Sequence, residues 1–152
     1  MNEDSIVLSN QELDAGQLKS CLKDDASGAV VIFEGRVRSA NLGHIVLGMH
    51  YEAYEPMARE AMERIVEEAR SRWPLRRVVV AHRIGDLAVG DLAAWIGVAS
   101  EHRGEAFEAC AYLIHRIKEA VPIWKKETRE GEGSRWLEGE TAPKAGPPNS
   151  GS

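Results

Sequence analysis

One stretch, residues 100–127, constrains the fold more than any other part of the chain. Its apolar residues recur at spacings of three and four, the period of one helical face: Phe107, Cys110, Leu113, Ile114, Ile117 and Val121. Pro122 lacks an N–H and clashes with the preceding helical turn, so the helix should end there. The sequence therefore predicts a long amphipathic helix that packs on a core, followed by a turn containing Lys125, Lys126 and Glu127.

Composition narrows the classes of function. The chain has 152 residues and a formal net charge of −5, so a general affinity for nucleic acid is disfavoured and any basic site must be local. Cys21, Cys110 and the five histidines show no metal-binding spacing, and we expect reduced cysteines, no metal and no cofactor. No apolar run approaches the roughly 18 residues of a membrane span and no signal-peptide core is found, which predicts a soluble, cytoplasmic protein.

Strands and helices alternate along the rest of the chain. Strands are predicted at residues 5–8, 29–33, 45–53, 77–82, 92–99 and 134–138. The continuous apolar run at 29–33 indicates a strand covered on both faces, and strand 45–53 should form a hairpin with it. Further helices should follow Asp14 and Pro56. We expect an α+β or mixed α/β fold, with one domain at 1–140 and a disordered tail rich in Pro, Gly and Ser at 141–152.

Two arginines follow the first apolar strand. Arg36 and Arg38 flank Val37, and the period of two places both on one side of the chain. Neighbouring guanidinium groups repel each other unless an anion lies between them, and phosphate matches their planar geometry. The alternative is that they pair with Glu34 or another nearby carboxylate.

The long helix has cations at both ends. Arg103 falls in the first turn, where the macrodipole disfavours a cation, so it either forms a buried ion pair or binds an anion; His102 is either a rim residue or part of that site. Lys118 borders the buried face, where it either covers the core with its stem or, if desolvated, acts as a base or nucleophile. On one helix, Arg103 and Lys118 are roughly 22 Å apart. A pocket that uses both should therefore combine two copies of the chain.

Four segments together resemble the family of large, catalytic subunits of molybdopterin synthase. They are GAVVIFEGRVRSANLG, RWPLRRVVVAHRIGDLAVGD, SEHRGEAFEA, and VPIWKKE followed by GSRW, spread over residues 28–138. The resemblance implies an α/β hammerhead fold with an additional antiparallel β subdomain. It also implies that a small ubiquitin-like subunit ending in Gly-Gly delivers sulfur as a thiocarboxylate to cyclic pyranopterin monophosphate, forming molybdopterin. The large subunit would then be the homodimeric core of a heterotetramer.

The resemblance also assigns site residues. It places the catalytic lysines at Lys118 and Lys125. The implied substrate-binding residues are Phe33, Arg36, Val37, Arg38, Lys126, Glu127 and, from the other copy, His102 and Arg103. Phe33 would line the pocket, although a buried strand residue is an equally good explanation. Ile123 stands where the family often has Phe. No catalytic cysteine is needed, because the partner carries the sulfur.

Three other functions remain open at this point. The chain could be a non-catalytic docking module for a ubiquitin-like protein, which would bind the partner and give no product. It could be a phosphate-ester enzyme that works without a partner, which would turn over alone. It could also be a structural dimer with satisfied ion pairs, which would show no anion affinity at Arg38 and Arg103.

Overall fold

In the computed structural model, residues 4–137 are described, and residues 1–3 and 138–152 lie outside that description. The strands are β1 (Ser5–Ser9), β2 (Ala29–Arg36), β3 (Ala40–Asn41), β4 (His44–Ala53), β5 (Leu75–Arg83), β6 (Gly85–Ala88), β7 (Leu92–Ser100), β8 (Ile123–Arg129) and β9 (Gly133–Trp136). The helices are α1 (Ala15–Ser20), α2 (Glu55–Arg72) and α3 (Arg103–Ala120). The predicted tail at 141–152, and Glu138 of the last predicted strand, lie outside the described residues, so the single domain at 1–140 stays a prediction.

The first sheet has the strand order β1-β5-β7-β2, with β1 parallel to β5 and the other pairs antiparallel. α2 and α3 pack on one face of it, and α1 packs on the other. β2 is an edge strand: Val31 and Phe33 pack against the main core, whereas Val30 and Ile32 remain 47% and 36% exposed. The prediction that this strand is covered on both faces is therefore wrong, because a run of apolar residues does not reveal whether a strand lies at an edge.

The long amphipathic helix is confirmed. α3 buries Ala106, Ala109, Cys110, Leu113 and Ile117 against the sheet and ends just before Val121 and Pro122. Phe107 departs from the prediction, since it belongs to the apolar period and yet is 61% exposed.

The second sheet is antiparallel, in the order β3-β4-β8-β9 with β6 also paired to β4. The predicted hairpin between β2 and β4 is wrong, because β2 pairs with β7 instead. β4 forms its hairpin with the short strand β3, through Leu42 and Gly43, whose φ angles of 50° and 82° suit a two-residue turn. The predicted lysine-rich turn is also wrong: these residues form β8, in which Lys125 pairs with Tyr51 of β4.

A small core joins the two sheets, formed by Val37, Val46, Leu87 and Ala93. The result is a mixed α+β fold with a separate antiparallel β subdomain, which confirms the predicted fold class. Within residues 4–137, no helix is long and apolar enough to cross a membrane.

Candidate active site

A cluster of cations surrounds Lys125, where α3 leads into β8. The Lys125 side chain reaches solvent, but the protein around it removes part of its hydration and lowers its pKa. The charge of Lys118 lowers the pKa further, Glu127 opposes the shift, and Arg38 adds to it. Since such charge effects weaken with distance, these four side chains occupy one region.

The end of α3 before Pro122 keeps the two lysines in one region. Lys118 lies in the last turn of α3, and β8 begins at Ile123, directly after Pro122. The side chain of Lys118 is exposed and forms no hydrogen bond or ion pair with another residue of the described range. The structure therefore brings together Lys118 and Lys125, the two residues predicted to be catalytic.

Glu127 is a buried carboxylate next to this cluster, and hydrogen bonds hold both of its oxygens. It is 1% exposed, and its Oε1 accepts a hydrogen bond from Nε of Arg129 at 2.5 Å. Its Oε2 accepts a hydrogen bond from Nδ2 of Asn41 at 3.0 Å, and Oδ1 of Asn41 accepts a longer one from Arg38 at 3.5 Å. Sequence reasoning missed Asn41 and Arg129; only the alternation that puts Glu127 and Arg129 on one face of β8 could have signalled the second.

The two predicted arginines have different surroundings. Arg36 donates to Glu34 at 2.9 Å and to the carbonyl of Gly90 at 3.1 Å, which is the carboxylate pairing left open as an alternative. Val37 between them is buried in the core that joins the sheets. Arg38 is exposed and has no carboxylate partner among residues 4–137. Arg38 is therefore the arginine whose charge remains available beside Lys125.

The other predicted residues lie away from the cluster. His102 and Arg103 stand exposed at the opposite end of α3, roughly 22 Å from Lys118 along the helix. Arg103 forms no ion pair within the described part of the chain, so the buried ion pair considered for it is wrong. Lys126 points to the other face of β8, with Nζ 5.1 Å from the centre of the Trp136 ring. Phe33 is half-buried against the main core.

Two uncharged rings lie next to the cluster, at the junction of the sheets. Tyr51 of β4 and His82 of β5 meet edge to face, with ring centres 4.9 Å apart. Burial lowers the pKa of His82 to about 4, with a smaller contribution from the charge of Lys125. Burial and the charge of Glu127 raise the pKa of Tyr51 to about 12. Both rings are neutral near pH 7, and sequence reasoning gave neither a role.

Comparison with known proteins identifies the family. The family model described as MoaE protein matches residues 8–120. The chain belongs to the MoaE family. A relative from Escherichia coli K12, named molybdopterin synthase catalytic subunit, is 45% identical over 139 residues, covering 91% of this chain and 92% of the relative. A relative of the same name from Pyrococcus abyssi is 40% identical and covers 90% and 91%.

Solved structures agree with the MoaE assignment. The crystal structure of molybdopterin synthase from Staphylococcus aureus superposes with a TM-score of 0.81 at 39% identity, covering 91% of this chain and 98% of that one. A complex of subunits 1 and 2 of molybdopterin-converting factor from Helicobacter pylori gives a TM-score of 0.67 at 22% identity, covering 86% and 88%. The second likeness concerns the fold alone. The resemblance found in the four sequence segments is thus confirmed.

Proposed function

We propose that this MoaE-family chain is the catalytic subunit of a molybdopterin synthase. It would transfer sulfur from the C-terminal thiocarboxylate of a small ubiquitin-like subunit to cyclic pyranopterin monophosphate, making the dithiolene of molybdopterin. The name that the relatives share, molybdopterin synthase catalytic subunit, supports this reaction, and a catalytic subunit implies a further subunit. The predicted cytoplasmic location stays a prediction.

The observation that carries the proposal is the group of Arg38, Lys118 and Lys125. Three cations in one region repel each other; the pKa of Lys125 is lowered first by partial desolvation and then by the charges of Lys118 and Arg38. None of the three is neutralised by an ion pair within the described residues, and the carboxylate of Glu127 is already engaged by Arg129 and Asn41. Such a site suits anionic reactants, and both the substrate phosphate and the partner's thiocarboxylate are anions.

The reaction asks for charge stabilisation and proton transfer. In each transfer, the thiocarboxylate sulfur bonds to a substrate carbon while a C–O bond at that carbon breaks; the oxygen stays on the phosphate where the cyclic ester opens and otherwise leaves as water. Water then cleaves the acyl C–S bond, so that the partner leaves as a carboxylate and the sulfur stays on the substrate. Each cycle thereby replaces one C–O bond of the substrate by one C–S bond. Lys118 and Lys125 are the proposed proton carriers. The lowered pKa of Lys125 increases the fraction of neutral amine that can accept a proton, and Lys118 lies in the same region.

The proposed site is completed by a second copy of the chain. Arg103, Phe107, Ala111, Ile114 and Lys118 fall within an arc of about 80° on α3. This stripe is exposed except at the half-buried Ile114, so it presents an apolar middle between two cations. We call it the α3 stripe.

A two-fold axis beside the centre of the α3 stripe would pair two antiparallel helices. Because Ala111 lies midway between Arg103 and Lys118, each Arg103 would then reach Lys118 of the second copy, and Phe107 would pack against Ile114 of that copy. His102 would enter the same region. Arg103 and Lys118 are roughly 22 Å apart within one chain, and this dimer would bring Arg103 of one copy to Lys118 of the other. With one small subunit bound to each copy, the assembly would be a heterotetramer.

Reconstituted turnover tests the proposal. The purified chain is mixed with cyclic pyranopterin monophosphate and a thiocarboxylated small subunit, and the dithiolene product is measured by mass spectrometry. We expect product that disappears when the partner carries a plain carboxylate. Lys118→Ala should lower kcat by about a hundredfold or more while the melting temperature is retained. Partner binding without product would support a docking module instead, and turnover without the partner would support a phosphate-ester enzyme.

A further inference from the structure

Asn41 lies between the buried carboxylate of Glu127 and the exposed side chain of Arg38 and forms a hydrogen bond with each. We propose that Asn41 is a positioning residue that orients Arg38 towards the substrate and takes its own orientation from the carboxylate of Glu127. This inference rests on the proposed function, because it concerns the substrate that Arg38 would bind. It adds to the site a residue that makes no proposed contact with the reacting atoms.

The direction of the Asn41 amide follows from the chemistry of Glu127. An ionised carboxylate only accepts hydrogen bonds, and its Oε1 is taken by Nε of Arg129 at 2.5 Å. The group that approaches Oε2 must therefore be a donor, and it is Nδ2 of Asn41 at 3.0 Å. The amide oxygen then faces the other way, where it accepts from Arg38 at 3.5 Å. The carboxylate of Glu127 thus determines that the amide oxygen of Asn41, and not its NH2 group, faces Arg38.

The backbone holds Asn41 in place for this task. Asn41 pairs with His44 across the two-residue turn of the β3–β4 hairpin. The N–H of Val46 donates to the carbonyl of Ser39 at 2.9 Å, which fastens the start of the hairpin to β4. With its backbone and one end of its amide held, Asn41 is restricted in the direction its oxygen can take.

A neutral amide orients an arginine without cancelling its charge. Arg36 shows the contrasting case, since its ion pair with Glu34 at 2.9 Å leaves its charge compensated. Within residues 4–137, the long contact with Asn41 is the only hydrogen bond of the Arg38 side chain, so most of its five N–H groups remain free for an anion. Its charge still acts on Lys125, whose pKa it helps to lower.

Steady-state kinetics with cyclic pyranopterin monophosphate as the varied substrate test the proposal. In Asn41→Ala we expect KM to rise about tenfold, with kcat changed less than about twofold, because a hydrogen bond to a charged group is lost. Ser39→Ala, at an exposed neighbour just before β3, is the matched control and should keep wild-type KM. Asn41→Ser retains a donor for Glu127 but cannot also reach Arg38. It should raise KM like the alanine variant, even if the latter is too unstable to assay.

A double-variant cycle separates positioning from simple support of the fold. Arg38→Ala alone should raise KM, and Asn41→Ala or Asn41→Ser should add less than about twofold in that background. Equal effects of the Asn41 variants with and without Arg38 would overturn the positioning role, as would an unchanged KM in them or in Arg38→Ala. Absence of turnover in the wild-type chain would instead overturn the proposed function on which the inference rests.

Discussion

The composite site can be tested by mixing two inactive chains. Arg103→Ala removes the cation at the start of α3, and Lys118→Ala removes the cation in its last turn. In the proposed dimer, one site takes Arg103 from one chain and Lys118 from the other. A mixed dimer therefore has one site that lacks both residues and one site that lacks neither. Separate affinity tags on the two variants allow the mixed dimer to be isolated and assayed for dithiolene product.

The expected magnitude follows from the geometry. The two residues are roughly 22 Å apart on one helix, so a chain cannot supply both ends to one small pocket. Each parent dimer should have two damaged sites, whereas the isolated mixed dimer should recover about half of wild-type activity. An untagged equal mixture, in which half of the dimers are mixed, should recover about a quarter.

The control uses two residues that one chain brings together. Lys118 and Lys125 interact within the same chain, so a mixed dimer of Lys118→Ala and Lys125→Ala has one damaging substitution in each site and should stay inactive. Recovery in this control pair, or failure of the Arg103 and Lys118 pair to recover, would refute the shared site. Full activity in the Arg103→Ala parent would show that Arg103 has no part in catalysis.

Three further outcomes follow from charge and burial. Because the pKa of Lys125 lies below the ordinary 10.5, kcat should rise with pH through an inflection below that value, and Lys125→Arg should remove this limb if Lys125 is the base. Unfolded histidine binds a proton near pH 6.5 but folded His82 only near pH 4, so the free energy of unfolding should fall by about 3 kcal/mol as the pH drops through this window. Urea melts should show that His82→Phe flattens this dependence and that His115→Ala, at an exposed residue, does not. Glu127→Ala leaves the buried charge of Arg129 without a partner and should lower the free energy of unfolding by about 3 kcal/mol. The double variant Glu127→Leu with Arg129→Met should recover much of this loss. An equal loss of stability in the single and double variants would contradict the account of the buried pair.

Local patterns in the sequence predicted the helices well. The apolar period of α3 and its end before Pro122 depend on residues that are neighbours in the chain, and so does the cap of α1, where Asp14 accepts from the backbone N–H of Gln17. Strand pairing depends on residues that are distant in sequence. For that reason the pairing of β2 with β7, and the inclusion of Lys125 in a strand, could not be predicted from local composition.

The candidate site divides in the same way. Arg38, Lys118 and Lys125 could be identified as cations in suggestive positions, and the family resemblance gave them roles. The buried support could not be predicted, because Glu127 and Asn41 are 86 residues apart and meet only when β3 and β8 lie beside β4. The same holds for His82 and Tyr51, whose rings belong to different sheets and meet only at the junction.

The most direct measurement of the central claim follows the sulfur itself. The small subunit is prepared with a thiocarboxylate carrying a heavy sulfur isotope, and the product of a reaction with this chain is analysed by mass spectrometry. The proposed function predicts a dithiolene in which both sulfur atoms are heavy, together with a partner that ends in a carboxylate. A product without heavy sulfur, or a partner that keeps its thiocarboxylate while substrate is consumed, would contradict sulfur transfer by this chain.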